Sequence, residues 1–598
     1  MIPLTNSSIA RLLQNVANAY RIKDEKKFRF QIMAYQKAAD TISSSTIELK
    51  DLYDDHRLES IDGVGPTIAQ HITELFEKGK VAHFEEVFKG IPDSVFTLME
   101  IPTFGPKKSF RLVMEFGLTD KTKVIEEVKK LAKSGKIAPL DGFGEKSQAD
   151  MLVAIDEFAQ GMGKSIRMSL PFAAELADQL IEYVKKSPVV ENAFPLGSLR
   201  RRAATVGDID IAVATHDPKS VIEHFTKYPY KQRVIEKGDV SASLLTSSGQ
   251  QVDLIALEPK MLGSLLQHFT GSKNHNVQLR EFALKQNKSL SERGIKDARN
   301  PQKAIQTYST EEKFYQALGL DWIPPELREG NEEIELARTH TLPALIEVSD
   351  IRGDLHIHSS FPIEPSHDMG VDYMESMIQR ALELKYEYIG FSEHNPSVSQ
   401  HTKKQVVEIL KKRNEHIDKL QEKYKPIHII RLMETDILTN GQLALDEKAL
   451  ELLDATLVSI HSSFGMEKKA MTKRILSGLS HPKAKIFSHP TGRLLQKRNG
   501  YEVDFDQLLQ YCAEQNKALE INSSPDRLDL SDTMVKQAVQ NKVKMVINTD
   551  SHALDHMDLM KYGVWVARRG WSEKKDILNT LPAADFIRWI KHKIMTSS

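Results

Sequence analysis

The sequence predicts a multidomain α+β protein in which a helical N-terminal part, a mixed-sheet central part and a strand–helix repeat follow one another. Three glycine-containing turns between short amphipathic helices indicate the helical part. A strand that carries two aspartates, Asp208 and Asp210, indicates a sheet in the centre. Seven strand-like segments that alternate with helical stretches after residue 350 predict a parallel (β/α) arrangement.

Composition places the chain among ordinary globular proteins. Of its 598 residues, 40% are hydrophobic and 27% are charged, which excludes disordered, collagen-like and coiled-coil classes. The single cysteine, Cys512, excludes a disulfide framework and a cysteine zinc site and favours a reducing compartment. We see no signal peptide, and no apolar stretch approaches the ~18–20 residues of a membrane span. We therefore expect a cytoplasmic monomer without a membrane partner.

Local charge is more informative than the overall charge. The whole chain has 81 Lys+Arg and 82 Asp+Glu, and its net charge of −1 by itself gives no indication of a polyanionic partner. Residues 264–303 nevertheless hold eight basic and three acidic side chains, a net charge of +5, which suits a surface that faces a polyanion. A solvated helix face is the alternative for that stretch. Residues 328–350 hold two basic and six acidic side chains and are predicted to be a linker.

Three short turns in the N-terminal part resemble one another: IDGVGPTIAQHI at 61–72, IPTFGPKKSFRL at 101–112 and LDGFGEKSQADML at 140–152. In each, glycine permits left-handed backbone geometry, and the free N–H groups of the next helix can receive an anion such as a DNA phosphate. The pattern looks like the helix-hairpin-helix motif; a plain helix cap followed by another helix is the alternative. The second copy is the weakest, since Thr103 replaces its first glycine. The candidate DNA-binding residues are Gly63, Gly65, Gly105, Gly142 and Gly144.

The central part carries the first set of candidate catalytic residues. In GDIDI the strand alternation puts Asp208 and Asp210 on one face. Adjacent carboxylates repel each other, so this arrangement is costly unless divalent cations lie between them. Asp253 in the later strand QQVDLIAL can complete a two-metal site for displacement at phosphorus. A solvated turn is the commoner meaning of an isolated DxD.

The flanking segments identify a resemblance. Gly197 and Ser198 open a turn that can cradle a triphosphate, and HFTGSKNHNVQLREFALKQNKSLSERGI follows at 268–295. These segments resemble the X family of DNA polymerases. The resemblance implies that the three aspartates are a catalytic triad that binds Mg²⁺ or Mn²⁺, and that gapped or primer-template DNA and dNTPs are the partners. It implies nucleotide contacts by Arg167, Gly197, Ser198, Arg201, Gly207, Phe269, Gly271, Asn276 and Arg280.

The sequence also departs from that family at several positions. His268 stands where the family usually has tyrosine, and Ile255 replaces a common arginine. In the beta-type enzymes a lysine forms a Schiff base with an abasic sugar, but His71 occupies that place, and imidazole cannot form the imine. Phe30 and Gln31 stand where those enzymes have a His-Lys pair for the 5′-phosphate. We therefore expect no beta-type lyase chemistry.

Metal-ligand side chains end most of the strand-like segments of the C-terminal part. The segments are GDLHIHSS, EYIGFSEH, IIRLMETDI, ATLVSIHSS, AKIFSHPT, ALEINSS and KMVINTDSH. Ligands at the C-terminal ends of successive parallel strands are typical of a (β/α) barrel active site, whereas a lone histidine on a strand is more often a core residue. Nitrogen and oxygen donors without cysteine suit Zn²⁺ or Mn²⁺. The candidate ligands are His356, His358, His394, Glu434, His461, His489, Asp550 and His552.

This part resembles the PHP (polymerase and histidinol phosphatase) domain, a distorted (β/α)7 barrel whose nine ligands bind two or three metals. The resemblance implies a ninth ligand in the segment SSFPIEPSHDMG, where Glu364 takes the place of the usual aspartate. His367 or Asp368 can substitute for it. Arg493 is a candidate for a phosphate contact or for an ordinary salt bridge.

These resemblances predict an ordered series of domains and a function. We expect a DNA-directed DNA polymerase that fills short gaps in repair, with a PHP nuclease acting as a 3′-5′ exonuclease, an AP endonuclease or both. A PHP small-molecule phosphoesterase with a polymerase-like DNA anchor is an alternative, as is an RNA-tailing nucleotidyltransferase. The predicted domains are 1–90 (N-terminal helical), 91–150 (fingers, helix-hairpin-helix), 151–262 (palm), 263–325 (thumb), 326–350 (linker) and 351–598 (PHP).

Overall fold

The structure is a computed structural model that describes residues 6–44, 49–61, 63–101, 103–159, 167–246, 249–300, 302–495 and 498–591. The chain forms two compact units, Met1–Ile166 and Arg167–Ser598. Among the described residues, none of the helices combines the length and the apolar character needed to cross a bilayer.

The described part of the first unit consists of helices and turns. Its core is one apolar cluster to which most of the helices contribute, with Leu13, Leu98 and Val128 among its fully buried members. Helices α4 and α7 each have a proline at the first helical position, where the missing N–H costs nothing. The helices are α1 (Asn6–Asp24), α2 (Arg29–Ser44), α3 (Leu49–Asp54), α4 (Pro66–Lys78), α5 (Ala82–Phe88), α6 (Asp93–Leu98), α7 (Pro106–Phe116), α8 (Val124–Lys133) and α9 (Glu145–Ala159).

The second unit begins with a five-stranded mixed sheet. Its strand order is β2-β4-β7-β6-β5, in which only the β4–β7 pair is parallel. Helix α10 packs its apolar face against this sheet. The elements are β1 (Met168–Ser169), α10 (Leu170–Lys185), β2 (Val190–Pro195), α11 (Gly197–Arg200), β3 (Thr205–Val206), β4 (Ile209–Thr215), α12 (Pro218–Phe225), β5 (Lys231–Lys237), β6 (Ser241–Thr246) and β7 (Gln251–Leu257).

A smaller helical part with one hairpin follows the mixed sheet. Helices α14 and α15 and the hairpin β8–β9 bury a separate apolar cluster that includes Leu279, Phe314 and Tyr315. The elements are α13 (Leu262–Thr270), α14 (Lys273–Lys285), β8 (Lys288–Ser291), β9 (Gly294–Asp297), α15 (Glu311–Gln316) and α16 (Glu333–Arg338).

Residues 326–350, predicted to be a linker, are packed against the rest of the unit. Arg328 is fully buried and donates from Nη1 to Glu311 Oε1 at 2.6 Å. Glu333 is also fully buried, and its carboxylate lies 2.8 Å from Nδ1 of His275. The acidic side chains that suggested a solvated linker instead have basic partners within the fold. The domain boundaries themselves stay predictions.

The C-terminal part contains parallel strands that alternate with helices. Strands β10-β11-β12 form one sheet and β13-β14-β15-β16-β17 form another. Parallel bridges from His394 to Glu434 and from Ile357 to Ser551 connect the two sheets. The elements are β10 (Gly353–Ile357), α17 (Met374–Glu383), β11 (Tyr388–Phe391), α18 (Lys403–Lys423), β12 (His428–Arg431), β13 (Glu434–Asp436), α19 (Glu447–Leu450), β14 (Thr456–Ser459), α20 (Lys468–Leu479), β15 (Ala484–Phe487), α21 (Phe505–Glu514), β16 (Ala518–Asn522), α22 (Asp532–Gln540), β17 (Met545–Asn548), α23 (Met560–Arg569) and α24 (Ala583–Lys591).

Candidate metal centres

The parallel pairing of β4 with β7 assembles the three predicted aspartates. Asp210 and Asp253 are direct partners in the register, and Asp208 immediately precedes β4. One carboxylate oxygen of each residue lies within 4.8 Å of the others. Ser243 and Gln251 donate hydrogen bonds to Asp253 and so fix its orientation. The arrangement is a compact set of three carboxylates near the N-terminal ends of two adjacent interior strands.

The electrostatics of this triad favour a bound cation. Burial and the neighbouring carboxylates of Asp208 and Asp253 raise the pKa of Asp210 from 3.8 to about 7. The pKa of Asp253 is raised as well, mainly by burial. Both groups would ionise more easily beside a divalent cation, since the cation replaces like-charge repulsion with attraction. The three side chains therefore fit a divalent metal site.

A turn that approaches the triad closely carries the predicted triphosphate contacts. Gly197 has a φ of +57°, and a Cβ at this position would lie 2.8 Å from Oδ2 of Asp210. Only glycine combines that backbone geometry with so close an approach. Ser198 follows it in α11, and Arg201 is the residue at the end of that helix.

The other predicted nucleotide contacts form three local groups. A Cβ on Gly207 would lie 3.6 Å from Nη1 of Arg167, and one on Gly271 would lie 3.2 Å from Nη1 of Arg201. In the third group, Asn276 Nδ2 donates to the backbone oxygen of His268 at 2.7 Å. Phe269 is partly exposed, and its ring packs edge-on against His268. The pKa of His268 is lowered mainly by burial and further by the nearby Arg280.

All three predicted helix-hairpin-helix turns share one backbone geometry. Gly63 and Gly142 have φ values of +83° and +80°, and Thr103 adopts the same region at +77° despite its branched side chain. Helices α4, α7 and α9 begin immediately after Gly65, Gly105 and Gly144. The second copy therefore keeps the shape of the turn, although its sequence departs most from the pattern.

His71, which stands where the beta-type enzymes have the lyase lysine, lies in an aromatic cluster. His71 Nδ1 lies 2.8 Å from the hydroxyl of Tyr35, and its ring stacks on His83 with centroids 4.8 Å apart. Burial and His83 lower the pKa of His71. Phe30, at the position of the phosphate pair, is 82% exposed.

Eight of the nine predicted ligands of the C-terminal part lie together, and Glu434 is at the centre of the group. Its Oε2 is 3.0 Å from Nδ1 of His394 and 3.2 Å from Nε2 of His356, and its Oε1 is 2.8 Å from Nε2 of His489. Four overlapping groups have ligand atoms within 4.8 Å of one another: His358, His394 and His552; His356, His358 and Asp550; His394, Glu434 and His461; and His367, Asp436 and His461.

Glu364 does not join this cluster, which corrects the predicted ninth ligand. It lies in a turn with φ of +48°, is 74% exposed, and contacts Nε2 of His401 at 2.9 Å. Asp368, the predicted substitute, contacts the cluster instead, with oxygens 3.1 Å from His394 Nε2 and 3.3 Å from His552 Nε2, although its side chain is 73% exposed. The proline-containing turn around Glu364 directs its side chain toward His401 and away from the clustered histidines.

The sequence reasoning missed two acidic side chains, Asp436 and Glu520, that hold the predicted ligands. Asp436 accepts from Nδ1 of His461 at 2.7 Å and lies 3.2 Å from Nε2 of His367. Glu520 lies 2.7 Å from Nδ1 of His356. The position of each carboxylate on a strand, in METDI and ALEINSS, was the available signal. Such partners orient a histidine so that its other nitrogen faces a metal.

The cluster fits a multimetal centre because many of its buried donor atoms lack a hydrogen-bond partner. These atoms are His356 Nε2, both ring nitrogens of His358, His394 Nδ1, Glu434 Oε2, His489 Nδ1 and His552 Nε2. Unpaired buried polar atoms are costly in a folded protein, and metal coordination is one way to satisfy them. Burial lowers the pKa of His394, but Glu434 and Asp368 outweigh burial and raise that pKa to about 10.

The guanidinium of Arg493 donates hydrogen bonds to backbone oxygens and not to the clustered ligands. Its Nε donates to the backbone oxygen of Arg527 at 3.0 Å, and Nη2 donates to the backbone oxygen of Leu528. These contacts favour a structural role over a phosphate contact.

Family models match three parts of the chain. The helix-hairpin-helix domain model matches residues 4–81, the DNA polymerase beta thumb model matches 265–329, and the PHP domain model matches 354–524. The chain is 32% identical to the DNA polymerase/3′-5′ exonuclease PolX of Bacillus subtilis over 588 residues, which cover 98% of this chain and 99% of that protein.

Two further proteins are similar to part of the chain. DNA polymerase lambda of Rattus norvegicus is 23% identical over 356 residues, which cover 54% of this chain and 56% of that protein. A probable phosphatase of Syntrophotalea carbinolica is 29% identical over 101 residues, which cover 16% of this chain and 40% of that protein.

The fold and the two centres define a multidomain enzyme class in which a nucleotidyltransferase centre and a multihistidine centre share one chain. The chain belongs to the bacterial X-family DNA polymerases that carry a C-terminal PHP domain. Both the polymerase family and the PHP family are metal-dependent, and this structure has a candidate metal-binding group in each part.

Proposed function

We propose that this chain is a DNA-directed DNA polymerase that fills short gaps in DNA repair, and that its PHP domain is a metal-dependent nuclease. The observation that carries the proposal is the near-complete match to a relative named DNA polymerase/3′-5′ exonuclease, together with the assembled aspartate triad. The nuclease acts as a 3′-5′ exonuclease, as an AP endonuclease, or as both.

In the polymerase centre, Asp208, Asp210 and Asp253 would hold two Mg²⁺ or Mn²⁺ ions. When bound, such a pair supports in-line displacement at phosphorus by stabilising the attacking and leaving oxygens. The rest of the centre positions the nucleotide. Gly197 is proposed to let the backbone approach the triphosphate, since a Cβ at this position would lie 2.8 Å from Oδ2 of Asp210.

Further side chains of the polymerase part would select and orient the substrates. Arg167, Ser198, Arg201 and Gly207 are proposed to contact the triphosphate, and Phe269 and Gly271 to contact the sugar. Asn276 and Arg280 are proposed to face the minor groove of the nascent pair, where acceptors are present on every base pair.

In the PHP centre, the eight clustered ligands and Asp368 would hold Zn²⁺, Mn²⁺ or both. When bound, these ions supply Lewis-acid chemistry for phosphodiester hydrolysis. Glu520 and Asp436 bind Nδ1 of His356 and of His461, which directs Nε2 of each ring toward the cluster. Arg527, whose Nε lies 3.5 Å from Asp550 Oδ2, is proposed to contact the scissile phosphate.

DNA binding is proposed to begin at the three helix-hairpin-helix turns, whose helix N-termini offer backbone N–H groups to phosphates. The five glycines Gly63, Gly65, Gly105, Gly142 and Gly144 allow the backbone to come close. We propose that the protein acts as a cytoplasmic monomer.

The alternative of a small-molecule phosphoesterase with an inactive polymerase part is less well supported, because all three aspartates are present and assembled. A labelled duplex with a one-nucleotide gap separates these functions. Incubated with Mn²⁺ and dNTPs, the protein should extend the primer by one nucleotide; with Mn²⁺ alone it should shorten the primer. Neither change would favour the small-molecule phosphoesterase, and untemplated addition of ribonucleotides to RNA would favour the tailing enzyme.

A further inference from the structure

Glu329 lies between two arginines that come from different domains. Nε of Arg201, in the predicted triphosphate turn, is 3.2 Å from Glu329 Oε1. Nη1 of Arg569, the last residue of α23 in the PHP domain, is 2.8 Å from the same oxygen. A single carboxylate oxygen is thus shared between a residue expected to bind nucleotide and a residue of the nuclease domain.

Arg569 is itself held rigidly in this position. Its Nε and Nη2 both lie 2.7 Å from Oδ2 of Asp532, at the start of α22. Its Nη1 also donates to the backbone oxygen of Arg201 at 2.7 Å. Arg569 therefore contacts the nucleotide turn twice, through the backbone of Arg201 and through the carboxylate that Arg201 uses.

We propose that Arg569 of the PHP domain is a positioning residue of the polymerase centre, which retains Glu329 so that Arg201 is free to bind the triphosphate of an incoming nucleotide. The proposal rests on the proposed polymerase function and on the assignment of Arg201 to the triphosphate. It makes the PHP domain a structural part of the nucleotide site.

The physical argument concerns the fate of Glu329 when Arg201 turns to the nucleotide. If Arg201 were the only cation beside Glu329, its movement to the nucleotide would leave a partly buried carboxylate unpaired beside a highly charged triphosphate. Such an unpaired charge is costly. Arg569 removes this cost, since it keeps the shorter contact to Glu329 after Arg201 has left. Without Arg569, the carboxylate would have only Arg201 as partner among the contacts described, and it would compete with the triphosphate for that guanidinium.

Arg568 provides a matched control on the same helix. Its Nε lies 2.8 Å from Glu326 and its Nη1 lies 2.5 Å from Glu347, so it also joins α23 to the segment that precedes the PHP domain. It makes no described contact with Arg201 or Glu329. Arg568→Gln therefore removes a comparable interdomain ion pair without touching the nucleotide turn.

The test is steady-state single-nucleotide extension on a gapped duplex with the full chain, in which KM for dNTP is measured alongside Mn²⁺-dependent nuclease activity. Arg569→Gln should raise KM for dNTP by about tenfold, while kcat changes by less than about threefold and nuclease activity is retained. Arg568→Gln should leave KM within about twofold of the parent. The double variant Arg569→Gln with Glu329→Gln should return KM to within about threefold of the parent, because the competing carboxylate is gone.

A KM for Arg569→Gln equal to that of Arg568→Gln would overturn the proposal, as would a double variant no better than Arg569→Gln. If Arg569→Gln does not fold, as judged by thermal unfolding and lost nuclease activity, Asp532→Asn loosens Arg569 more gently. That variant should raise KM for dNTP by about two- to threefold, and an unchanged value would count against the proposal. Absence of extension by the parent protein would instead contradict the proposed polymerase function.

Discussion

Oδ1 of Asp368 lies 3.1 Å from Nε2 of His394, which places this aspartate at the PHP metal cluster. Its second oxygen is 3.3 Å from Nε2 of His552, so one carboxylate spans two of the predicted ligands. Glu364, four residues earlier, contacts His401 instead. Asp368, rather than Glu364, is therefore the carboxylate of this segment that contacts the clustered histidines.

Replacement of each carboxylate by the corresponding amide tests which of the two binds metal. Asp368→Asn should lower the affinity of the PHP centre for Mn²⁺ by at least about tenfold, because a neutral amide is a weaker ligand and a poorer partner for His394 and His552. Glu364→Gln should leave the affinity unchanged within about twofold. Metal content after dialysis gives the measurement. A greater loss of metal from Glu364→Gln than from Asp368→Asn would restore Glu364 as the ligand.

The raised pKa of Asp210 predicts that the metal-free protein loses folding stability as the pH rises. Its pKa of about 7, against 3.8 in an unfolded chain, means that the folded state holds a proton between these values that the unfolded state has lost. Stability is therefore lost as pH rises from about 4 to 7. Asp210→Asn should raise the unfolding free energy at pH 8 by about 2–4 kcal/mol, and by less at pH 5.

Thermal unfolding at both pH values, with and without Mg²⁺, measures this effect. Mg²⁺ should stabilise the parent at pH 8 more than it stabilises Asp210→Asn, since the cation relieves the same repulsion. Asp239→Asn, at an exposed position, is the control and should have little effect. Equal unfolding midpoints for the parent and Asp210→Asn at pH 8 would show that the triad carries no such cost.

The N-terminal unit should lack Schiff-base lyase activity. His71 stands in the position of the amine, its pKa is lowered by burial and by His83, and it is engaged with Tyr35. Borohydride trapping on a 5′-deoxyribose-phosphate substrate should give no cross-link above background. A robust adduct on a lysine between residues 1 and 90 would prove the prediction wrong.

Thr103 predicts a local strain in the second hairpin turn. A β-branched residue at a φ of +77° is unfavourable, so Thr103→Gly should stabilise the N-terminal unit by about 1 kcal/mol. Thr97→Gly in helix α6 should destabilise it by a similar amount, because glycine is a poor helix former. Denaturant unfolding compares the two variants, and destabilisation by Thr103→Gly would remove the claim of strain.

Local patterns were enough to predict the elements that carry chemistry. Alternation along GDIDI placed Asp208 and Asp210 on one face, and the strand around Asp253 supplied the parallel partner. Metal-ligand residue types at the strand ends predicted the eight PHP residues that lie together in the structure. Glycine spacing gave the turn geometry, including at Thr103, where the surrounding helices impose the conformation that glycine would adopt by itself.

Long-range packing could not be predicted in the same way. The exchange of Glu364 for Asp368 depends on the path of one proline-containing turn, which no spacing rule determines. The contact between Glu329 and Arg569 joins residues 240 positions apart, and the packing of 326–350 depends on buried partners such as Glu311. Acidic composition alone suggested a linker because the sequence does not show which charges are paired.

The central claim is that two separate metal centres in one chain carry out extension and degradation of DNA. The most direct measurement is single-nucleotide extension and primer shortening on the same labelled gapped duplex, with two double variants. Asp208→Ala with Asp210→Ala should abolish extension and keep shortening, whereas His356→Ala with His358→Ala should abolish shortening and keep extension. Loss of both activities in either folded variant, or persistent shortening by the histidine variant, would contradict the claim.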